Sequence, residues 1–390
     1  MAEPPDTRAA KRLLEYFARR RGEVLSLTRA LCEAESPSGD LDGSRAVSDL
    51  LASAAEGVPG VVSTERIEPP GRYGVHLRVR AFDAGGGARP LLLLGHTDTV
   101  HARGTLAARP WREAGGKIYA PGIFDMKASC AVAVEALRAC AESGLRPRRP
   151  VALLLTCDEE TGSHTGRALV EEEARASEYV LVLEPPAPGG RAKTARKGTG
   201  LFTLKAEGRA AHAGLDPEKG ASAVHELARQ INLVRELADP GRGTTVNVGV
   251  VGGGTRANVV AERAFAEIDV RFSTGEEARR VEQGVRGLRP SDERVRLAVE
   301  GGINRPPLER TPRVAELYGR AKAAAAALDF ALGEASVGGA SDGNFAAACG
   351  AAVLDGLGVD GDGAHAAHEH IVADAAVRRG ALLAALIATL

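Results

Sequence analysis

LLLLGHTDTV (91–100) is the stretch that decides the fold. Its four leucines form an apolar run of strand length, suited to a strand buried on both faces, and the run breaks off at a histidine and an aspartate. Working outward, 151–155 (VALLL), 179–183 (YVLVL) and 352–354 (AVL) repeat the pattern. Alanine-rich amphipathic segments, such as 129–142 and 314–328, alternate with these runs. The alternation predicts an α/β fold, a mostly parallel sheet covered by helices. Ligands of such sheets gather where the strands end, at the carboxyl edge.

Between 197 and 303 the texture changes. Residues 201–207 read as a strand, and Ala221, Val224, Leu227, Ile231 and Val234 then recur at helical spacing just after Pro217. Segments 245–251 and 258–272 alternate with period two around the turn Gly252-Gly253-Gly254; 276–288 reads as a second helix and 294–299 as a last strand. The order β-α-β-β-α-β is that of a ferredoxin-like α+β unit. It reads as an insertion, because the strand signal resumes near Ala352. The predicted domains are a first segment of the sheet domain (1–196), an inserted α+β domain (197–303) and a second segment of the sheet domain (304–390).

Composition narrows the function classes. Fifty Lys and Arg face 51 Asp and Glu, a formal charge of -1 over 390 residues. That balance argues against nucleic-acid and membrane-surface partners, which select a positive excess. Hydrophobic residues make up 44% and aromatics only 4%, so a globular core must be built largely from Ala, Val and Leu. Charges interrupt residues 1–24 too often for a secretion signal, and the longest apolar stretch, 381–390, is too short to span a bilayer. Five cysteines without CxxC spacing suggest neither a disulfide framework nor a thiolate zinc site. The expectation is a cytoplasmic protein.

The chemistry sits at the strand ends. His96 and Asp98 follow the first run, Glu159 and Glu160 the second, Glu184 the third; the fourth leads through Asp355 to His365, and Asp125 lies in the loop GIFDMK (122–127). Strand ends at one sheet edge converge, so these distant residues can meet. Imidazole and carboxylate together suit zinc or a similar divalent ion, and the lack of a thiolate cluster suggests a catalytic site. Asp125, Glu160 and Glu184 with one hydroxide balance two divalent cations, which favours two ions over one because uncompensated buried charge is costly. From spacing alone, His365, His368 and His370 all compete in GAHAAHEH (363–370).

In nearly its whole length the sequence resembles the M20 metallopeptidases, a family that includes glutamate carboxypeptidases, acetylornithine deacetylase and succinyl-diaminopimelate desuccinylase. The resemblance rests on GHTDTV (95–100), YAPGIFDMK (119–127), CDEETGS (157–163), LEP (183–185), GRAAHAG (208–214), GGGTRANVV (252–260), NRPP (304–307), GGASD (338–342) and GAHAAHE (363–369), in the family's order. It implies that His96 and Glu184 hold one zinc ion (cobalt and manganese being the substitutes), that Glu160 and His365 hold the other, and that Asp125 bridges them. It makes Glu159 the general base, Asp98 the carboxylate that fixes the His96 tautomer, and His212 an oxyanion-stabilising residue. It assigns Asn258, Arg271 and Arg305 to binding of a substrate carboxylate and Gly338 and Gly339 to close backbone approach. It further implies a homodimer acting on a small peptide or an N-acyl amino acid.

Departures from the family pattern at Ala128, Ala261, Ala366 and His368 remove no ligand; they bear on loop geometry and specificity. The motifs lean towards a glutamate-carboxypeptidase-like enzyme, with an N-acyl-amino-acid deacylase as the alternative. A non-catalytic binding protein on the same scaffold would have lost ligands or Glu159. Cys157, beside the acidic run, reads as a small buried hydrophobe rather than a nucleophile.

Overall fold

The computed structural model describes residues 7–83 and 87–390, so residues 1–6 of the N-terminal segment discussed above lie outside it. The chain forms two compact units. One comprises Met1–Thr194, Arg310–Val337 and Ser341–Leu390; the other comprises Ala195–Glu309 and Gly338–Ala340.

The first unit is built on a six-stranded sheet in the order Val61–Ile67, His76–Ala81, Val151–Thr156, Leu91–His96, Tyr179–Val182 and Ala352–Leu354. The last four strands run parallel, and the first two join antiparallel at one edge. Side chains alternate between faces along a strand. Leu91, Leu93, Leu153, Leu155 and Leu181 accordingly join one large core with helices Thr7–Arg19, Ala128–Glu142 and Ala375–Thr389. The intervening Leu92, Leu94, Leu154 and Val182 are equally buried. Burial on both faces explains why these strands read as unbroken apolar runs. The antiparallel edge was not legible: Val61–Ile67 is mostly exposed and half polar, so it carries no apolar run.

The second unit is a four-stranded antiparallel sheet in the order Thr245–Gly253, Arg263–Phe272, Gly198–Glu207 and Arg296–Arg305, with helices Ala223–Arg235 and Gly275–Arg286. Phe202, Leu204, Ala206, Ala266, Ile268, Val270 and Phe272 form its core with both helices. The helices start where side-chain caps are available: Ser222 accepts from the His225 N–H and Thr274 from the Glu277 N–H. Each such cap is worth about 1 kcal/mol. The strand expected over 258–272 begins only at Arg263. Residues 258–260 turn instead to bond the 211–213 segment, through Ala213 N–H to Asn258 O and Val260 N–H to Ala211 O. The Arg296–Arg305 strand and the Arg196–Leu308 backbone pair carry this unit as far as Glu309.

Candidate active site

At the carboxyl edge of the parallel strands, the register sets His96 beside Thr156 and Leu94 beside Val182, so the three following loops leave from one level. Those loops carry the chemistry of the first unit. His96 is 2% exposed, and its Nε2 lies 3.1 Å from Asp125 Oδ1 and 3.5 Å from Glu184 Oε1. His365 Nε2 lies 3.1 Å from Glu160 Oε1 and 3.4 Å from Asp125 Oδ2. Two donor groups result, His96–Asp125–Glu184 and Asp125–Glu160–His365, in each of which the ligand atoms fall within 4.8 Å of one another. Asp125 belongs to both and turns one oxygen towards each.

Local backbone accounts for these placements. Asp125 sits in the Ile123–Lys127 turn, where its own dihedrals (φ -117°, ψ 90°) are non-helical. The preceding Gly122 has φ +70°, and a Cβ there would approach Thr99 Cγ2 to 2.5 Å, so glycine is required on both counts. Behind the turn, the buried Lys127 donates to Leu31 O, and burial lowers its pKa. His365 adopts φ +65°, a left-handed conformation that histidine tolerates better than bulky residues do.

Asp98 binds more partners than the sequence suggested. Its carboxylate accepts from the backbone N–H of Glu159 (3.2 Å) and of Glu160 (3.1 Å) and from the Ser38 hydroxyl (2.6 Å). His96 Nδ1 lies closer to the Asp98 carbonyl oxygen, 3.0 Å, than to its carboxylate, 3.4 Å. The Nδ1 proton is thus held by both groups, which turns Nε2 towards Asp125 and Glu184.

Charge in the cluster is strongly mutual. Burial alone would make His96 neutral, but Asp125, Asp98 and Glu184 together outweigh it and hold its pKa well above the usual value. Asp125 and Glu160 push His365 up to about 10. The two imidazoles in turn hold Asp125 far below the carboxylate range against its burial, while burial raises Glu160. Two imidazoles and two carboxylates around one shared carboxylate form a set that fits divalent ions of zinc's class, which would take the place of those protons.

Three further residues were not singled out from the sequence as parts of the site. Glu369, 2% exposed, accepts from the backbone N–H groups of Gly122, Phe124 and Asp125 and pairs with His101 at 2.6 Å. Arg109 completes that group by donating to His101 Nδ1. His76, Cys157 and Asp158 also lie close enough to share an ion, but their donors are engaged. His76 Nδ1 accepts from Cys157 N–H, its Nε2 pairs with Thr165 Oγ1, and Asp158 accepts from Thr165 and Gly166. Cys157 is 1% exposed and burial pushes its thiol pKa up, as suits a packing residue.

The second unit holds the remaining candidates. His212 is exposed; its Nδ1 accepts from the N–H groups of Gly214 and Leu215, which assigns the proton to Nε2. Its backbone bridges to Val259, next to Asn258. Arg271 and Arg305 both register opposite Thr199, on either side of the Gly198–Glu207 strand, so two strand spacings of about 4.8 Å separate their backbones. Arg271 is bound through Nε and Nη2 to the Asp269 carboxylate, both at 2.9 Å. A Cβ on Gly338 or Gly339 would meet no protein atom within 4 Å, so packing does not require glycine at either.

This constellation can be set against known proteins. The sequence model of peptidase family M20/M25/M40 matches residues 92–389. The chain belongs to that family. It is an M20 metallopeptidase or amidohydrolase. Carboxypeptidase G2 of Pseudomonas sp. (strain RS-16) is 29% identical over 368 residues, 93% of this chain and 88% of the relative. Acetylornithine deacetylase of Myxococcus xanthus is 31% identical over 237 residues, 56% of this M20 chain and 59% of that protein. Among solved structures, aminopeptidase PepT from Bacillus cereus shares the fold with a TM-score of 0.78 at 21% identity, covering 95% of this chain and 98% of its own. The M20 metallo-carboxypeptidase Sso-CP2 from Sulfolobus solfataricus does so with 0.68 at 15% identity, covering 94% and 99%. No helix among the described residues is long and apolar enough to cross a membrane.

Proposed function

We propose that this chain is a co-catalytic two-zinc amidohydrolase of the carboxypeptidase type, hydrolysing an amide bond next to a carboxylate-bearing residue. The observation that carries the reading is the shared carboxylate: Asp125 Oδ1 faces His96 while Oδ2 faces His365. One residue thereby joins two donor groups, each with one imidazole and one further carboxylate of its own. In this reading His96, Glu184 and Asp125 hold one ion, and Glu160, His365 and Asp125 the other. Ions bound there would lower the pKa of a water and polarise the scissile carbonyl.

The protein's own groups do the rest. Glu159 takes a proton from the attacking water and passes it to the leaving nitrogen. Asp98 keeps Glu159 and Glu160 apart in direction by holding both of their N–H groups, so that one ligates while its neighbour handles protons. His212, with its proton on Nε2, donates to the oxyanion. Asn258, Arg271 and Arg305 bind the substrate carboxylate, for which the planar guanidinium fork is suited; Gly338 and Gly339 admit the substrate against bare backbone. The 29% identity to a carboxypeptidase over 93% of the chain favours peptide-like substrates.

A second reading, an N-acyl-amino-acid deacylase, draws on the 31% identity to an acetylornithine deacetylase. Both readings place a homodimer in the cytoplasm. The test is a hydrolysis panel run with zinc-loaded protein, C-terminal-glutamate dipeptides against N-acetyl and N-succinyl amino acids. Preferred cleavage of the glutamate dipeptides supports the first reading and preferred deacylation the second. No hydrolysis of either class removes both.

A further inference from the structure

We propose that Glu369, held in place by His101 and Arg109, is a positioning residue that locks the loop of Asp125 to the loop of His365, so that the Asp125–Glu160–His365 group cannot take up its ion tightly without it. This deepens the two-ion reading and rests on it. Glu369 lies four residues beyond His365 in the same loop, yet its carboxylate is spent on a different segment. Oε1 accepts from the N–H of Phe124 (2.9 Å) and from the N–H of Asp125 itself (3.0 Å), and Oε2 from Gly122 (2.8 Å). A single side chain therefore ties the shared carboxylate's own backbone to the strap that carries His365.

The charge arithmetic shows why the clamp is demanding. The Glu369 side chain is 1% exposed, and removal of a carboxylate from water costs several kcal/mol unless donors replace the water. Three N–H groups and the His101 ring supply four donors. Arg109 decides which way the ring donates. A guanidinium cannot accept, so the 3.1 Å contact from Arg109 Nη2 makes His101 Nδ1 the acceptor and leaves the proton on Nε2, 2.6 Å from Glu369 Oε2. Arg109 Nη1 also donates to Ala366 O, one residue past His365, at 3.2 Å. The circuit therefore runs from the Asp125 turn through Glu369, His101 and Arg109 back to the His365 loop. His101 and Glu369 are separated by 268 residues, so the arrangement belongs to the folded site alone.

The chain of donors predicts which substitutions are tolerated. In His101→Gln the amide nitrogen can still donate to Glu369 while the amide oxygen accepts from Arg109, whereas His101→Leu supplies neither. In Glu369→Gln the amide nitrogen can accept from nothing, so an N–H of the Asp125 turn faces another donor. Outer groups that orient metal ligands are typically worth 10–100-fold in metal affinity.

The test is equilibrium dialysis of zinc into metal-free wild type, His101→Leu, His101→Gln and Glu369→Gln, paired with backbone amide exchange at Phe124 and Asp125 in the metal-free proteins. Expected are two ions in the wild type, the Glu160–His365 ion weakened about 10–100-fold in His101→Leu and Glu369→Gln, the His96–Glu184 ion, which shares Asp125, weakened less, and near-complete recovery in His101→Gln. Amide exchange at Phe124 and Asp125 is expected to quicken in Glu369→Gln and His101→Leu without a general rise elsewhere. A merely structural role predicts instead lower stability with both ions weakened equally and amide exchange quickened throughout, and that result overturns the proposal. Wild-type affinity and exchange in His101→Leu overturn it as well, even if Glu369→Gln fails to fold. If the wild type itself binds fewer than two ions, the two-ion reading fails; amide exchange then still decides the clamp, and unchanged exchange in His101→Leu refutes it.

Discussion

Replacing Asp98 with asparagine separates a working residue from a passive turn former. The carboxylate serves four groups: Oδ1 faces the Glu159 N–H and His96 Nδ1, and Oδ2 faces the Ser38 hydroxyl and the Glu160 N–H. An amide keeps one acceptor oxygen. Its cheaper orientation puts the NH2 in place of Oδ2, where Ser38 can turn to accept but the Glu160 N–H meets a donor. One lost charge-assisted bond with one stranded N–H costs about 1–3 kcal/mol of stability. Because the stranded group belongs to a ligand of the proposed centre, zinc affinity or kcat/KM is expected to fall about 10–100-fold, which corresponds to about 1.4–2.7 kcal/mol. Zinc dialysis and steady-state kinetics on the best substrate of the panel measure both, with thermal unfolding as the stability control. Lower stability with undiminished zinc binding and undiminished turnover would falsify the role assigned to Asp98.

Glu159→Gln is expected to retain both ions and lose about 10²–10⁴-fold in kcat, the usual worth of a positioned general base; near-normal turnover in a metal-replete variant removes Glu159 from that role. The raised pKa values of His96 and His365, the latter about 10, mean that the metal-free protein carries protons on both rings at pH 7. Zinc uptake should therefore release protons and weaken as pH falls, which calorimetry in buffers of different ionisation enthalpy reads directly; uptake without proton release contradicts the assignment. The same shift has a definite sign for stability. A group whose folded pKa is raised stabilises most below its ordinary value, so the metal-free protein should lose stability as pH climbs from about 7 through 10, as melting temperatures across that range will show. In the second unit, Glu277 is 1% exposed, and hydrogen bonds from Arg280 and Thr244 with the Arg242 charge hold its pKa down at about 2. Glu277→Ala should cost about 1–3 kcal/mol with zinc stoichiometry unaltered, since Arg242 and Arg280 can turn to water; an unchanged unfolding midpoint contradicts the count of its partners.

How much of this was legible in the sequence depends on range. The four parallel strands announced themselves because both of their faces are buried, and the donors stood at their ends for the same topological reason. The exposed Val61–Ile67 strand had no such signature, and the small strands Arg112–Ala114, Lys117–Tyr119 and His370–Val372 were too short to show one. Within the site, residue types and spacing pointed to His96, Asp125, Glu160, Glu184 and His365 as donors that could meet. They could not show that Asp98 would hold the two N–H groups behind Glu159 and Glu160, since a backbone donor has no mark in a sequence. The pairing of His101 with Glu369 was illegible for a simpler reason: Glu369 closes the GAHAAHE motif, but nothing in it points to His101, and only the fold brings the two to 2.6 Å. Arg271 shows the converse, a residue whose fork is visible from its type but whose partner, Asp269, reveals itself only through its side-chain geometry.

The shared carboxylate of Asp125 is tested most directly by anomalous X-ray diffraction at the zinc edge from zinc-loaded crystals. Two peaks about 3.5–4 Å apart are expected, one beside His96 and Glu184, the other beside Glu160 and His365, with an oxygen of Asp125 on each. A single peak, or two peaks of which only one touches Asp125, contradicts the account.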